Sequence, residues 1–253
     1  MRRISLFVSA GLFAGLCTVT DALTVGAMTV DEVVGKHIEA RGGLEKIHAI
    51  STMRITGKFL GDGMEIPFDA TWKRPNLMRI NMTVQGARFD KAYDGQVVWV
   101  INPFSGSNAP QKDSEFEQKT FPLHADMDGL LVDWKDKGYR VESLGKDEVE
   151  GTEVLHLRVD THQEVKVDLY LDTEFFLIIK MTYVATQDES EWEVDMYYSD
   201  FKEVNGVVFP HLYEVRSGGQ TAEQYMFDTF EFGMEVDDTI FAMPVVEEAA
   251  AGK

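Results

Sequence analysis

Between Met53 and Phe232, apolar side chains occupy every second position in about ten successive runs of roughly eight to twelve residues, most of them closed by Gly, Asn or Asp. Met53, Ile55 and Phe59 share one face; Met64, Ile66, Phe68, Ala70 and Trp72 form the next stripe, followed by Met78, Ile80, Met82 and Val84. The alternate positions carry Arg54, Lys58, Glu65, Asp69, Lys73, Arg79 and Asn81, so each strand has an oily face and a wet one. Asp62-Gly63, Pro75-Asn76 and Asp94-Gly95 are turn signals between antiparallel neighbours. After them comes a strand with Val97, Trp99 and Ile101. The second half repeats the pattern through Tyr139 to Leu144, Leu155 to Val159, Val165 to Leu171, Leu177 to Met181, Trp192 to Tyr198, Val207 to Tyr213, and Met226, Phe230 and Phe232.

Only two segments have helical spacing. Thr29 stands three residues before Glu32, a capping box, and Val30, Val33, Val34, His37 and Ile38 then share one face. Gly42-Gly43 stops this helix ahead of a short turn carrying Leu44, Ile47 and Ile50. Residues 102–121 break the rhythm with Pro103, Gly106 and Pro110, predicting a long loop that is either mobile or functional. From Pro122 the stripe Leu123, Met127, Leu130, Leu131 and Trp134 predicts a second helix, with Asp126 and Asp128 near its start and Lys135, Lys137 and Gly138 at its end.

Two helices, each about 10 Å wide, cover about half of a sheet whose strands lie about 4.8 Å apart. Curvature must bury the rest. The fold class this implies is mainly β: a single, strongly curved antiparallel sheet of about ten or eleven strands, an open half-barrel capped by helices. Its interior is either packed solid or left as a pocket. Met53, Met64, Met78, Met82, Met196 and Met226 fall on inward positions, and methionine suits both a variable apolar ligand and an irregular core. Trp72, Trp99, Trp134 and Trp192 are open to the same two readings.

The chain has 253 residues, 44% hydrophobic and 26% charged, with no biased tract or linker, which describes one globular domain. Arg2 and Arg3 precede an apolar run from Ile4 to Val19, with Val25 and Ala27 at the −3 and −1 positions of a cleavage site. Residues 1–27 therefore read as a secretory signal peptide, and residues 28–253 as the exported domain. Cys17, the only cysteine, would leave with the signal, excluding disulfides and thiolate chemistry. Leu16 before it argues against a lipoprotein signal. A formal net charge of −19 disfavours nucleic acid and anionic membrane surfaces as partners. The acids at outward strand positions (Glu65, Asp69, Asp90, Glu153, Asp168, Glu191, Glu193 and Asp195) read as a solvated face.

No catalytic constellation stands out: there is no HExxH, GxSxG, phosphate loop or dinucleotide fingerprint. The expectation is a protein without catalytic residues, metal or cofactor. The six histidines are scattered; His37 reads as a packed side chain, and His156 with His162 would need carboxylate help to hold an ion.

Six stretches, in this order, resemble the LolA-like family of outer-membrane lipoprotein-sorting proteins: HIEARGGLEKIHAISTMRITGKF (37–59), YDGQVVWVINPFSG (93–106), DGLLVDWKDKGYRVESLGKDEVEGTEVLHLRV (128–159), YLDTEFFLIIK (170–180), YSDFKEVNGVVFPHLYE (198–214) and DDTIFAMP (237–244). The resemblance implies a periplasmic carrier with a half-barrel of about eleven strands and a helical lid over a hydrophobic cavity for acyl chains. It also implies lipid or acylated lipoprotein as cargo, exchanged with an inner-membrane exporter and an outer-membrane acceptor by a monomer. Some relatives sense or ferry other lipids beside RND-type exporters, so an accessory lipid-binding protein of such an exporter is one alternative; the other, suited by the long loop 102–121 and the acidic exterior, is a periplasmic sensor or adaptor of the same fold that binds a protein partner. In the family's carriers an arginine near the start of the sheet latches the lid; Arg54 is the nearest counterpart, although alternation places it outward. On this reading Ile66, Phe68, Trp72, Ile80 and Met82 of the sheet and Leu130, Leu131 and Trp134 of the lid contact the ligand.

Overall fold

The computed structural model describes residues 28–245 except 163, 164, 188 and 189, with the side chains of 185–192 also outside the description. The signal-peptide expectation for residues 1–27, and those for Glu191 and Trp192, lie outside the described residues. The rest begins with two helices, α1 (Val30–Ala40) and α2 (Leu44–Ala49), and five strands, β1 (Thr52–Gly61), β2 (Met64–Lys73), β3 (Leu77–Val84), β4 (Ala87–Tyr93) and β5 (Val98–Ile101). A two-residue strand, β6 (Gln111–Lys112), precedes a third helix, α3 (Glu115–Ala125). Seven strands complete the chain: β7 (Arg140–Val149), β8 (Thr152–Asp160), β9 (Lys166–Asp172), β10 (Ile178–Gln187), β11 (Ser190–Val204), β12 (Val207–Ser217) and β13 (Gln220–Phe232).

All thirteen strands form one antiparallel sheet in the order β6-β5-β4-β3-β2-β1-β13-β12-β11-β10-β9-β8-β7. The first and last strands pair with each other in the middle, while β6 and β7 form the two edges, so the sheet is open. The strand count exceeds the expected ten or eleven, in part because β6 lies inside the segment read as loop. Since β6 and β7 are at opposite edges, the chain between them must cross the open side. That crossing segment contains α3, and the topology thereby makes it the lid.

The capping box of α1 forms as expected, Thr29 Oγ1 accepting from the Glu32 amide while the Glu32 carboxylate accepts from the Thr29 amide. Its apolar face places Val33 and Val34 in one core with Leu157, Val159, Val167, Leu169 and Leu171. Ile47 of α2 enters a second core with Met53, Ile55, Phe68, Ile80 and Val98. The concave face thus carries two packed cores rather than one.

The second predicted helix is displaced. The helix spans Glu115–Ala125, starting inside the expected loop and ending four residues into the expected helix, and residues 126–138 are successive turns. Gly129 and Asp133 adopt left-handed backbone there, which interrupts any helix running through Leu130 to Trp134. Asp126 and Asp128 accordingly follow the lid helix instead of opening a helix.

Strand β13 corrects another expectation. Asp228 is an extra residue opposite the step between Thr56 and Gly57, a bulge that reverses the alternation. Tyr225 and Phe227 face inward before it and Phe230 and Phe232 after it, while Met226 points outward and is 42% exposed. Gly57 makes this close approach feasible: a Cβ there would lie 2.0 Å from the Met226 carbonyl oxygen and 3.0 Å from the Phe68 ring. Gly57→Ala is expected to cost about 2–3 kcal/mol through forced backbone movement, read as a lowered midpoint in urea unfolding; an unchanged midpoint refutes it.

On the convex face the closing segment 234–243 straps β1–β5. Thr52 Oγ1 donates to the Met234 carbonyl at 2.9 Å, Arg79 to Ile240 at 2.7 Å and Trp99 Nε1 to Phe241 at 2.7 Å. Trp99 and Phe241 are fully buried together there, so Trp99 is neither in the concave core nor a cavity wall. The outward acids are largely cross-strand ion pairs rather than a merely solvated face: Asp168 with Arg158, Asp195 with Lys180, Glu65 with Lys58 and Glu153 with Lys146. Asp90 is completely buried, 2.6 Å from Arg88 and 3.2 Å from Arg79.

Candidate functional site

Between the two cores and beneath α3 lies a cavity of about 1040 Å³. One wall comes from β2 and β3, where period-two alternation points Ile66, Phe68, Trp72, Ile80 and Met82 into it, as the sequence suggested. The facing wall is tyrosine-rich, with Tyr183 on β10, Tyr198 on β11, Tyr213 on β12 and Tyr225 on β13. Tyr213 and Tyr225 stack with centroids 4.5 Å apart, and burial pushes the hydroxyl pKa of all four tyrosines upward. Phe104, 59% exposed, stands at the rim.

The roof is α3. Phe116, Glu117, Thr120, Phe121 and His124 recur at one helical face and all meet the cavity. Sequence reasoning missed them because Pro122 lies inside the helix and the apolar stripe is short. A local signal was present: Ser114 followed by Glu117 has the spacing of a helix start, and Ser114 Oγ does accept from the Glu117 amide at 3.2 Å.

Side chains fasten the lid to both arms of the sheet. Gln118 Nε2 donates to the Val98 carbonyl at 2.6 Å and its Oε1 accepts from the Val98 amide at 2.9 Å, so the amide acts as one more strand partner for β5. Trp72 Nε1 donates to the His124 carbonyl at 2.9 Å, and Phe116 stacks on Tyr183. Burial lowers the pKa of His124 to about 4, with the Lys91 ammonium adding to the shift.

The remaining expected residues lie elsewhere. Leu130 lines a smaller cavity of about 250 Å³, which shares Trp72, His124 and Tyr198 with the large one. Leu131 and Trp134 pack against the first core and line neither cavity, because residues 126–138 turn away beyond the helix. Arg54 is on the outer face, paired with Asp69, and does not reach the lid. The anchoring falls to Arg74, which donates to both Asp128 carboxylate oxygens, to Ile50 O at 2.6 Å and to Ile47 O at 2.8 Å. Arg41 adds a bond to the Asp128 carbonyl, and Lys137 pairs with Asp126 at 2.6 Å.

Among the described residues His48, Asp128 and Asp133 converge closely enough to consider a cation. Their polar atoms are already engaged, Asp128 with Arg74 and His48 with Asp133 at 2.7 Å. A metal would have to displace a guanidinium. His37 is packed as expected, its Nδ1 donating to the Phe176 carbonyl at 2.8 Å. His156 stacks on Tyr170, whereas His162 contacts the Lys137 carbonyl.

The arrangement defines a class: an open β half-barrel whose helical lid encloses an apolar hollow. A LolA superfamily protein from Nitrosomonas europaea superposes with a TM-score of 0.58 at 14% identity, covering 85% of this chain and 98% of that one. A DUF1329 family protein from Desulfovibrio piger gives 0.57 at 10% identity, with 84% and 97% covered. An outer membrane lipoprotein-sorting protein domain from Vibrio parahaemolyticus gives 0.54 at 10% identity, again with 84% and 97% covered. No protein-family model matches the sequence, and no curated protein matches it. The fold is LolA-like, as the sequence resemblance implied.

Proposed function

We propose that this protein is a periplasmic carrier that holds lipid or lipoprotein acyl chains in the cavity and shuttles them towards the outer membrane, without catalysis. The carrying observation is the hollow of about 1040 Å³ between two packed cores, walled by Ile66, Phe68, Ile80 and Met82. That is at the upper end of the roughly 300–1,000 Å³ of small-ligand pockets. Apolar burial supplies the affinity: at about 0.8 kcal/mol per methylene, a chain of about ten methylenes gains about 8 kcal/mol before the costs of association. Release requires the lid to move, and α3 roofs the cavity through Phe116, Glu117, Thr120, Phe121 and His124. No described helix is long and apolar enough to cross a membrane.

The test is native mass spectrometry of protein purified gently from its host, which should carry lipid, together with uptake of a fluorescent acyl probe. Phe68→Glu places a carboxylate in the wall and should weaken uptake by about tenfold or more. Phe68 also packs on Tyr225 and Phe227, so the half-buried Met82 offers a gentler variant, Met82→Glu, with the same expected direction. Lipid-free protein together with unchanged uptake in both variants overturns the proposal.

A further inference from the structure

The cavity's charges are unevenly placed. Three carboxylates line it, Asp62, Glu117 and Glu223, against a single lysine, Lys91. Lys91 is already committed, its Nζ 2.8 Å from Glu117 Oε1, 3.1 Å from Asp113 Oδ2 and over the Phe121 ring. The other basic side chain, His124, is held neutral by burial at neutral pH. Glu223 is different: its carboxylate has the Tyr225 hydroxyl at 3.3 Å and no ion pair among the described residues. Burial raises its pKa first of all, the Tyr225 hydroxyl and Lys91 lowering it and Glu117 and Asp62 raising it.

A half-buried carboxylate beside a mostly apolar hollow costs desolvation energy unless an opposite charge meets it. The tyrosine wall adds ring faces on the same side, which favour a cationic group, while its hydroxyls can donate as well as accept. A carboxylate or phosphate would instead face Asp62 and Glu223, the Lys91 charge being already met by Glu117 and Asp113. We infer that the cavity selects amphiphiles by headgroup, taking a long-chain amine with its ammonium against Glu223 and disfavouring an anionic head on the same tail. This rests on the carrier reading and adds to it the chemical class of the ligand.

The test is displacement of a neutral, environment-sensitive naphthylamine dye at pH 7 by dodecylamine, dodecanol and dodecanoate. Dodecylamine should displace the dye at a concentration about tenfold or more below that of dodecanoate, with dodecanol between them. Glu223→Gln keeps the shape and the Tyr225 contact; it should bring amine and carboxylate within about twofold of each other and leave dodecanol unchanged. Amine adsorbed on the acidic exterior would not respond to that substitution, so a preference that survives Glu223→Gln overturns the inference. So does equal displacement by dodecanoate in the wild type. If the dye does not bind at all, the carrier reading itself fails, which is a different result from binding without headgroup preference.

Discussion

Replacing Arg74 with alanine is expected to lower the free energy of unfolding by about 3–5 kcal/mol, the cost of leaving one member of a buried ion pair alone. Asp128 has only 8% of its side chain exposed, and both its carboxylate oxygens accept from the one guanidinium. The same guanidinium satisfies the carbonyls of Ile47 and Ile50, so it joins the end of α2, the turn after β2 and the segment after the lid. Arg74→Lys should recover little, because an ammonium cannot reproduce the fork that meets two oxygens at once. Urea unfolding reads the loss. A double-mutant cycle with Asp128→Ala should show a coupling energy of about 1 kcal/mol or more; additive losses refute the pairing. Limited proteolysis should cut first within 126–138, the segment released.

Acid should destabilise the protein well above the range where ordinary carboxylates titrate. Burial lowers His37 to about 3 and His124 to about 4, whereas in the unfolded chain both take protons near 6.5. A depressed folded pKa means that the unfolded state binds more protons below pH 6.5, so stability is complete above that value and falls as pH drops towards 4 and then 3. The slope approaches about 1.4 kcal/mol per pH unit for each histidine. Between pH 7 and 5 the two together should remove about 3–4 kcal/mol. Asp126 and Glu223, whose pKa values burial raises, act in the opposite sense and soften the decline. Urea midpoints at pH 7, 6 and 5 measure it, and His37→Asn should flatten the slope by about half. A midpoint independent of pH over this range refutes the assignment.

The legible parts of this protein were those set by local rules. Alternation along β2 and β3 is a property of consecutive residues, and it pointed Ile66, Phe68, Trp72, Ile80 and Met82 to the side where the cavity lies. The Thr29 capping box is equally local, spanning three residues. The lid was misplaced because α3 carries Pro122 and owes its helix to the Ser114 cap, to Gln118 on β5 and to Phe116 on Tyr183. Apolar spacing after Pro122 was real, yet Leu131 and Trp134 satisfy it by packing on the first core from a run of turns. In β13 one inserted residue, Asp228, reversed the faces, and nothing in the strand's own composition marks where a partner strand will force a bulge.

From sequence alone followed a large antiparallel sheet with one oily face, too few helices to cover it, and therefore curvature, because side-chain direction repeats every two residues along any strand. Whether that curved face closes on itself as solid core depends on contacts between residues far apart in the chain. Tertiary structure decided it: α1 and α2 pull the sheet into two separate cores. Arg74 and Asp128, fifty-four positions apart, tie down the segment that follows the lid, and α3 spans the gap between the cores over a hollow of about 1040 Å³.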